Sequence, residues 1–304
     1  MKEYLESVED VLKELKSNDN GLNEKEAIKL IVRARFNKIL ERIKENSVSK
    51  ERKHKFGLVT TISKGYDSAC CAAMAKKIGC NIALTFNHPA KYADDNGDIV
   101  ARQLGYTDIR YADANHYRYN TDLVEAYHTA TGELGSTICF EAFTDDFKNN
   151  IVFYGERGDQ FWTKSPINPN SNFKFTNQLV IGIGMAEWRL NVGFVLMPIA
   201  FYKGVHWEDI CKISNSSEMA SWSIGGDYDR PIPRRICEDM GVERKEFGQA
   251  KKGAGFNYNR DNLSRIKSRM STCSFSRFYE FYKKNKRSSL LLYNAFIFIP
   301  LIWV

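Results

Sequence analysis

Short apolar runs alternate with helix-forming segments over residues 56–155. Residues 68–79 are rich in Ala, and residues 98–104 also have helical composition. The apolar runs are rich in β-branched and aromatic residues, as buried strands are, and lie at residues 56–62, 80–86, 109–112 and 151–155. This alternation predicts an α/β fold with an open parallel sheet and right-handed crossover connections.

Helical periodicity is expected before this core. Residues 2–16 repeat apolar positions at intervals of three and four, and Asn23 with Glu26 forms a capping box that starts a second amphipathic helix. The charged run 44–55 then predicts a linker. We expect three parts in all: an N-terminal helical segment at 1–50, an α/β core at 51–175, and a mainly helical part at 176–304 that completes the core domain.

The part after Thr176 is expected to consist mainly of helices and loops. Helical patterns lie at 186–190 and around 207–213, and Pro231 and Pro233 predict a turn.

Composition excludes several classes of protein. The chain has 304 residues, of which 43% are hydrophobic and 27% charged, with 7 Pro, and this is globular usage. Its 7 Cys are irregularly spaced and its N-terminus has no apolar signal core, so we expect a reducing, cytoplasmic location rather than a secreted disulfide framework. The 5 His form no i, i+4 pair and no CxxC occurs, so no zinc site is expected.

Positive charge is concentrated in the C-terminal third. From Arg234 to Arg287 there are 15 Lys and Arg against 6 Asp and Glu, whereas the rest of the chain has 29 against 31. The excess is expected to face an anion, which leaves nucleic acid, a membrane surface and a phosphorylated small molecule open beside a merely solvated basic surface. The apolar tail 289–304 is shorter than the roughly 20 residues of a membrane span. We expect it to pack on the domain, with a peripheral membrane contact as the alternative.

A polar turn, SKGYDS, lies between the first predicted strand and the helix that follows it. Main-chain N–H groups at a helix N-terminus have no helical acceptor and favour an anion, and phosphate is a natural occupant. Here Ser63 and Ser68 offer hydroxyl donors, Lys64 a cation, Gly65 room for close approach, and Asp67 a ligand for magnesium. The alternative is that Ser63 or Asp67 only caps the helix.

This turn resembles the S-G-G-x-D-S loop of the N-type ATP pyrophosphatases, the PP-loop superfamily that includes the synthetase domain of asparagine synthetase. Lys64 stands where the family usually has its first glycine. The resemblance implies a sheet of the adenine nucleotide alpha hydrolase-like (HUP) type, ATP and Mg²⁺ as cofactors, and Ser63 to Ser68 as the holder of the β- and γ-phosphates. It also implies that adenine lies near the end of the second strand, at Leu84 to Phe86.

A second turn, YGERGDQFW, follows the strand at 151–155 and resembles the S-G-[ED]-G-[SG]-D-E-x-F-G loop of asparagine synthetases. The resemblance implies that Gly155 lines the nucleotide site, Glu156 acts as a base on the acceptor, and Asp159 holds magnesium with Asp67. Gln160 stands where the family usually has Glu. Without the resemblance, Glu156 and Asp159 are two solvated turn acids.

The downstream segments YDRPIPRRICEDMG and FGQAKKG are similar to later regions of the same family. In the second segment, the resemblance implies that Lys252 or Lys251 neutralises the leaving pyrophosphate, and Lys252 is our choice; a plain surface charge is the alternative. The resemblance runs from about Phe56 to Phe256. We expect no glutaminase half of asparagine synthetase, because that half needs a Cys directly after the initiator Met and Lys2 stands there.

The expected function is therefore an AMP-forming, ATP-dependent ligase or amidotransferase. A separate glutaminase or free ammonia would supply nitrogen, and the family form without a glutaminase implies a carboxylated or amino sugar of surface-polysaccharide biosynthesis as acceptor. Two alternatives stay open. The basic C-terminal third favours a tRNA-thiolating pyrophosphatase with nucleic acid as partner, and Lys64 and Gln160 favour a non-catalytic nucleotide-binding scaffold.

Overall fold

A computed structural model describes residues 37–88, 95–120, 124–129, 135–156, 158–164, 185–201, 207–252, 258 and 262–285. The predicted helix at 2–16, the capping box and the apolar tail lie outside this part of the chain. The chain divides into two compact units, Met1–Lys55 and Phe56–Val304. In the first unit a helix covers residues 37–47, so the helical pattern continues into the charged run that predicted a linker.

The second unit is built on a five-stranded sheet whose strands are all parallel. The strands are β1 Gly57–Thr61, β2 Ile82–His88, β3 Asp108–Asp113, β4 Asn150–Tyr154 and β5 Val195–Pro198. The strand order is β3-β2-β1-β4-β5, and β1 is the central strand. The register aligns Val59 with Ile82 of β2 and with Val152 of β4. The α/β prediction and its parallel sheet are confirmed, and the strand order is that of a Rossmann-like fold.

Helices connect and cover the strands. Between β1 and β4 lie α1 Tyr66–Lys77, α2 Asp98–Gln103, α3 Val124–Thr129 and α4 Thr144–Phe147. After β4 follow α5 Gly158–Phe161, α6 Ala186–Val192, α7 Trp207–Ser214, α8 Pro231–Glu238, α9 Leu263–Arg269 and α10 Thr272–Asn285. Short 3₁₀ helices lie at His116–Tyr119, Ile138–Phe143, Ile199–Phe201, Ser217–Trp222 and Arg244–Glu246.

Helix α1 packs directly on the centre of the sheet. Small side chains allow this, because Cys70, Cys71 and four Ala residues of the helix are all fully buried. The Cys71 thiol donates to the carbonyl of Tyr154 at 3.6 Å, which brings the helix over the end of β4. The two vicinal cysteines are core residues, as predicted, and burial raises the pKa of both thiols.

A separate aromatic cluster contains buried side chains of β1, β2 and β4. Its centre is Phe147, which lies 5.3 Å from Trp188 of α6 and 5.0 Å from Phe194 between ring centroids. The side chains of Leu84 and Phe86 belong to this cluster. The core is thus continuous from the strands into α6, across the boundary predicted at residue 175.

Two elements after Thr176 differ from the prediction. Strand β5 is an additional parallel strand at the edge of the sheet; it has only four residues and ends at Pro198, which is tolerated at an edge. Pro231 and Pro233 do not form a turn but occupy the first turn of α8, where a missing N–H costs no helical hydrogen bond. The helices predicted at 186–190 and 207–213 are present as α6 and α7.

Candidate functional site

The two turns singled out in the sequence meet at one place in the sheet. They follow β1 and β4, which are neighbouring parallel strands, so both turns lie at the same edge of the sheet. The strand order also reverses here, because the chain moves from β1 outwards to β3 and then returns to the other side of β1. Ligands of open α/β sheets bind in the crevice at this switch point.

Two glycines let the turns touch. A Cβ on Gly155 would lie 2.5 Å from the main-chain carbon of Asp67 and from the nitrogen of Ser68. A Cβ on Gly158 would lie 2.4 Å from Oδ1 of Asp67. A larger residue at Gly155 would force the main chain of the first turn to move, whereas one at Gly158 would displace the Asp67 carboxyl group.

The first turn is organised by its two serines. The hydroxyl oxygens of Ser63 and Ser68 are 2.8 Å apart, the main-chain N–H of Ser63 donates to Oγ of Ser68 at 3.1 Å, and that of Gly65 donates to Oγ of Ser63 at 3.1 Å. Gly65 is the N-cap of α1, and no side chain of this turn caps the helix. The alternative that Ser63 or Asp67 serves as the cap is therefore wrong. Helix α1 starts at Tyr66, two residues before the predicted start.

Asp67 and Asp159 come together with a lysine. The Lys251 ammonium lies 3.2 Å from Oδ2 of Asp159. Burial, and then the negative charge of Asp159, raises the pKa of Asp67 to about 7, against the opposing charges of Lys251 and Arg230 and a hydrogen bond from the main chain of Asp159. Repulsion between the two carboxylates lowers the stability of the ligand-free protein. A cation bound between them would relieve this repulsion, so the pair is suited to bind one.

The carboxylate pair fits a magnesium ion. Magnesium in nucleotide sites is held by one or two carboxylates and takes its other ligands from phosphates and water. No group of three or more His, Cys, Asp or Glu side chains able to hold a metal occurs in the described ranges. The pair fits a metal that arrives with a phosphorylated ligand, rather than one held by the protein alone.

A buried arginine fixes the basic segment against the first turn. Arg234 of α8 is fully buried, and its guanidinium donates to the hydroxyl of Tyr66 and, at 3.3 Å, to the carbonyl of Gly248. The main-chain N–H of Gly248 donates to the carbonyl of Lys64 at 2.8 Å. Gly248 has a φ of 63°, and a Cβ there would lie 2.3 Å from the Tyr66 ring. This close packing fixes the main chain at Gly248, three residues before Lys251, against the first turn.

The remaining predicted site residues take different positions. Glu156 is half-buried and directly follows Gly155 in the turn that carries Asp159, and Lys252 is half-buried beside Lys251. The side chains of Leu84 and Phe86 are buried in the core, and the Leu84 carbonyl accepts from the N–H of Ile62 at 2.9 Å. Adenine contact at these two residues stays a prediction that involves only their main chain.

Two site residues were not singled out in the sequence. The Tyr228 hydroxyl accepts from the main-chain N–H of Tyr66 at 3.3 Å, so a residue 162 positions away takes the place of a capping side chain. Arg230 lies against the Tyr228 ring, with its guanidinium carbon 5.7 Å from the centroid. Both belong to the segment YDRPIPRR. The sequence signal that could have indicated them is their place directly before Pro231, the first residue of a helix.

Comparison with known proteins adds no assignment. No protein-family model matches the chain, and a search of curated proteins gives no match. No helix in the described part of the chain is both long and apolar enough to cross a membrane.

Proposed function

We propose that this protein is an ATP pyrophosphatase of the PP-loop type, with a HUP-type sheet, that adenylates an acceptor and releases pyrophosphate. The supporting observation is the meeting of the two turns at the switch point, where Asp67, Asp159 and Lys251 converge on the N-terminus of α1. A phosphate site alone requires only the first turn. The second turn and the lysine add the charges that transfer of an adenylyl group needs.

The first turn binds the β- and γ-phosphates in this proposal. The helix N-terminus supplies partial positive charge and main-chain donors, and Lys64 supplies a full charge. In the pair of hydroxyls formed by Ser63 and Ser68, one donates to the other. The second hydroxyl proton can then go to a ligand oxygen, in competition with main-chain carbonyls at 3.4 Å from Ser68.

Asp67 and Asp159 would hold Mg²⁺ between the turns. When bound, the ion masks phosphate charge and orients the triphosphate. An acceptor oxygen then attacks the α-phosphorus, the bond from that phosphorus to the bridging oxygen breaks, and pyrophosphate leaves with the electron pair. Lys251, placed by its contact with Asp159, stabilises the charge of this leaving group, and Lys252 is its neighbour in the same role.

Glu156 acts in the second half of the reaction. An amine nucleophile, supplied as ammonia or by a separate glutaminase, attacks the activated carbon, and AMP leaves with the carbon–oxygen electron pair. The amine must lose a proton to do so, and Glu156, a half-buried carboxylate three residues from Asp159, is the base that we propose accepts it. The acceptor that we propose is a carboxylated or amino sugar.

The reaction products test the proposal. The protein with Mg²⁺ and ATP is incubated with panels of sugar acids, amino sugars and tRNA, with ammonia present, and AMP, ADP, phosphate and pyrophosphate are quantified. AMP and pyrophosphate in equal amounts, lost in Asp67→Ala with the circular dichroism spectrum unchanged, support the proposal. Formation of ADP and phosphate contradicts it, a requirement for tRNA supports the thiolation alternative, and ATP binding without turnover on any panel supports the scaffold.

The role of Glu156 has its own test. Glu156→Gln should bind ATP normally and form the adenylate, while product formation slows by about 10²- to 10⁴-fold. Rapid quenching should then detect the accumulating adenylate. Loss of ATP binding in this variant would instead place Glu156 on the metal and refute its assignment as base.

A further inference from the structure

Arg230 is a buried cation that forms no ion pair with a carboxylate of the described residues. Its side chain is 8% exposed, and its Nη1 donates to the carbonyl of the adjacent Asp229 at 3.0 Å. Within the part of the chain that the structure describes, its Nε is buried without a hydrogen-bond partner and no carboxylate lies within ion-pair distance. Burying a guanidinium costs free energy unless its donors are satisfied, so this arrangement requires an explanation.

Arg234, one turn further along, shows what a structural arginine looks like in this protein. Its guanidinium contacts Glu238 at 3.3 Å and also donates to the Tyr66 hydroxyl and to two main-chain carbonyls. It therefore has a carboxylate and several oxygen acceptors. Arg230 has one carbonyl and an aromatic ring. The contrast indicates that Arg230 is not retained for packing.

Arg230 faces the crevice rather than the protein interior at large. Its guanidinium carbon lies 5.7 Å from the ring centroid of Tyr228, whose hydroxyl bonds the first N–H of α1. Lys251 lies 6.0 Å from the same centroid. Two cations thus approach one ring that is fixed to the helix N-terminus, on the side of the site that also contains Asp67.

We propose that Arg230 binds a phosphoryl group of the pyrophosphate moiety, through the planar fork of its guanidinium. An oxyanion with two adjacent oxygens would satisfy the free donors of Arg230 and neutralise its charge. Pyrophosphate would then lie between Arg230 and the donors of the first turn, with Lys251 completing the set of cations. This inference takes the ligand class from the proposed function, but it concerns binding and not turnover.

Isothermal titration with inorganic pyrophosphate at fixed Mg²⁺ tests it. Arg230→Gln should weaken binding by about 10- to 100-fold, the usual effect of losing a charge-assisted hydrogen-bonding partner. Arg230→Lys keeps the charge without the fork and should fall between this variant and the wild type. Arg110→Gln is the matched control, because it removes the same charge from an exposed surface pair with Asp108 and Asp146 and should change affinity less than about twofold.

Thermal unfolding separates a binding role from a structural one. If Arg230 binds the ligand, Arg230→Gln should unfold without ligand at the wild-type temperature or above it, and pyrophosphate should raise that temperature less than in the wild type. If this variant does not fold, Arg230→Lys decides alone. Wild-type affinity in the lysine variant, and in the glutamine variant if it folds, would overturn the inference. So would a wild-type protein that does not bind pyrophosphate. A third contrary result is a variant that loses affinity for AMP, titrated in the same way, but keeps its affinity for pyrophosphate.

These results are distinguishable from failure of the proposed function. Pyrophosphate binding that depends on Arg230, in a protein that releases no pyrophosphate from ATP, removes the proposed function and keeps this inference. Pyrophosphate release from ATP with unchanged pyrophosphate affinity in Arg230→Gln does the reverse.

Discussion

Replacing Asp67 by Asn should stabilise the ligand-free protein while removing its activity. The side chain keeps its shape and its acceptor for the main-chain N–H of Asp159, but it loses a charge that is buried and that also opposes the Asp159 carboxylate. Substitution of a residue that contributes to folding has the opposite effect, because most substitutions at such positions lower the stability of the folded protein. A gain of stability would therefore mark Asp67 as a residue retained for binding.

The magnitude follows from the pKa of Asp67, which is raised from 3.8 to about 7 by burial and by Asp159. At about 1.36 kcal/mol for a tenfold change in the proton-binding constant, the difference between 3.8 and about 7 sets an upper limit near 4 kcal/mol at high pH. Relaxation of the turn and water entry reduce this value, so we expect a gain of about 1 to 3 kcal/mol in the free energy of unfolding at pH 8.

The pH dependence gives the sign an independent check. The pKa of Asp67 is higher in the folded protein than its unfolded value of 3.8, so between pH 3.8 and about pH 7 the folded state holds a proton that the unfolded chain has lost. The contribution of Asp67 to stability is thus largest below pH 3.8 and is lost as the pH rises through about 7. The advantage of Asp67→Asn should be greatest at pH 8 and shrink towards pH 4.

Urea unfolding in EDTA at pH 8 and pH 5 measures this difference. Asp145→Asn, at an exposed position in α4, is the control and should change stability by less than about 0.5 kcal/mol at either pH. With Mg²⁺ and pyrophosphate the order should invert, because the wild type gains binding free energy that the variant lacks. A destabilised Asp67→Asn, or an advantage independent of pH, would refute the conclusion that burial and the Asp159 carboxylate raise the pKa of Asp67.

Other predictions address the contact between the turns, the lysines and the core. Gly155→Ala should lower the free energy of unfolding by about 1 to 3 kcal/mol and abolish pyrophosphate binding, because its Cβ meets main-chain atoms of the first turn. Gly241→Ala is the control: its φ of 91° is strained for Ala but no atom lies within 4 Å of its Cβ, so it should lower stability and leave the affinity for pyrophosphate unchanged. Lys251→Gln should weaken pyrophosphate binding more than Lys252→Gln in the same titration, since Lys251 contacts Asp159; equal losses would contradict that ranking. Burial lowers the pKa of His128 to about 3, so its contribution to stability is full above pH 6.5 and falls as the pH falls towards 3. His128→Phe should therefore flatten the dependence of the free energy of unfolding on pH in this range, measured by acid titration followed by fluorescence.

β1 and β4 were predictable because their central residues are buried whichever face of the sheet they lie on. Such strands have no polar face, so apolar runs such as 56–62 and 151–155 are unambiguous. β5 has the same chemistry in only four residues and ends at a proline, and nothing local distinguishes it from a loop. The start of α1 was misplaced for another reason: its capping partner is Tyr228, a contact that no local pattern contains.

The same limit applies to the site. Turns that follow parallel strands are local features, so Ser63 to Ser68 and Gly155 to Asp159 could be found from the sequence. Their meeting could also be expected, because both turns leave the same edge of one sheet. The choice between Lys251 and Lys252, in contrast, depends on how Arg234 fixes Gly248, and that packing joins residues far apart in the chain.

The basic C-terminal third illustrates how a charge excess is divided once the chain folds. Many of its cations are used within the protein: Arg234 and Arg244 pair with Glu238, Arg235 with Glu218, and Lys245 and Lys283 with acids near them in sequence. Cations already paired with carboxylates contribute less to a nucleic-acid surface, which needs many cations free for phosphates along its length. Lys251 is paired too, but its partner is Asp159 in the second turn, and Arg230, just before this third, lies beside the Tyr228 ring at the same site. This distribution favours one compact anion at the switch point over an extended polyanion, and so favours the ligase proposal over the tRNA alternative.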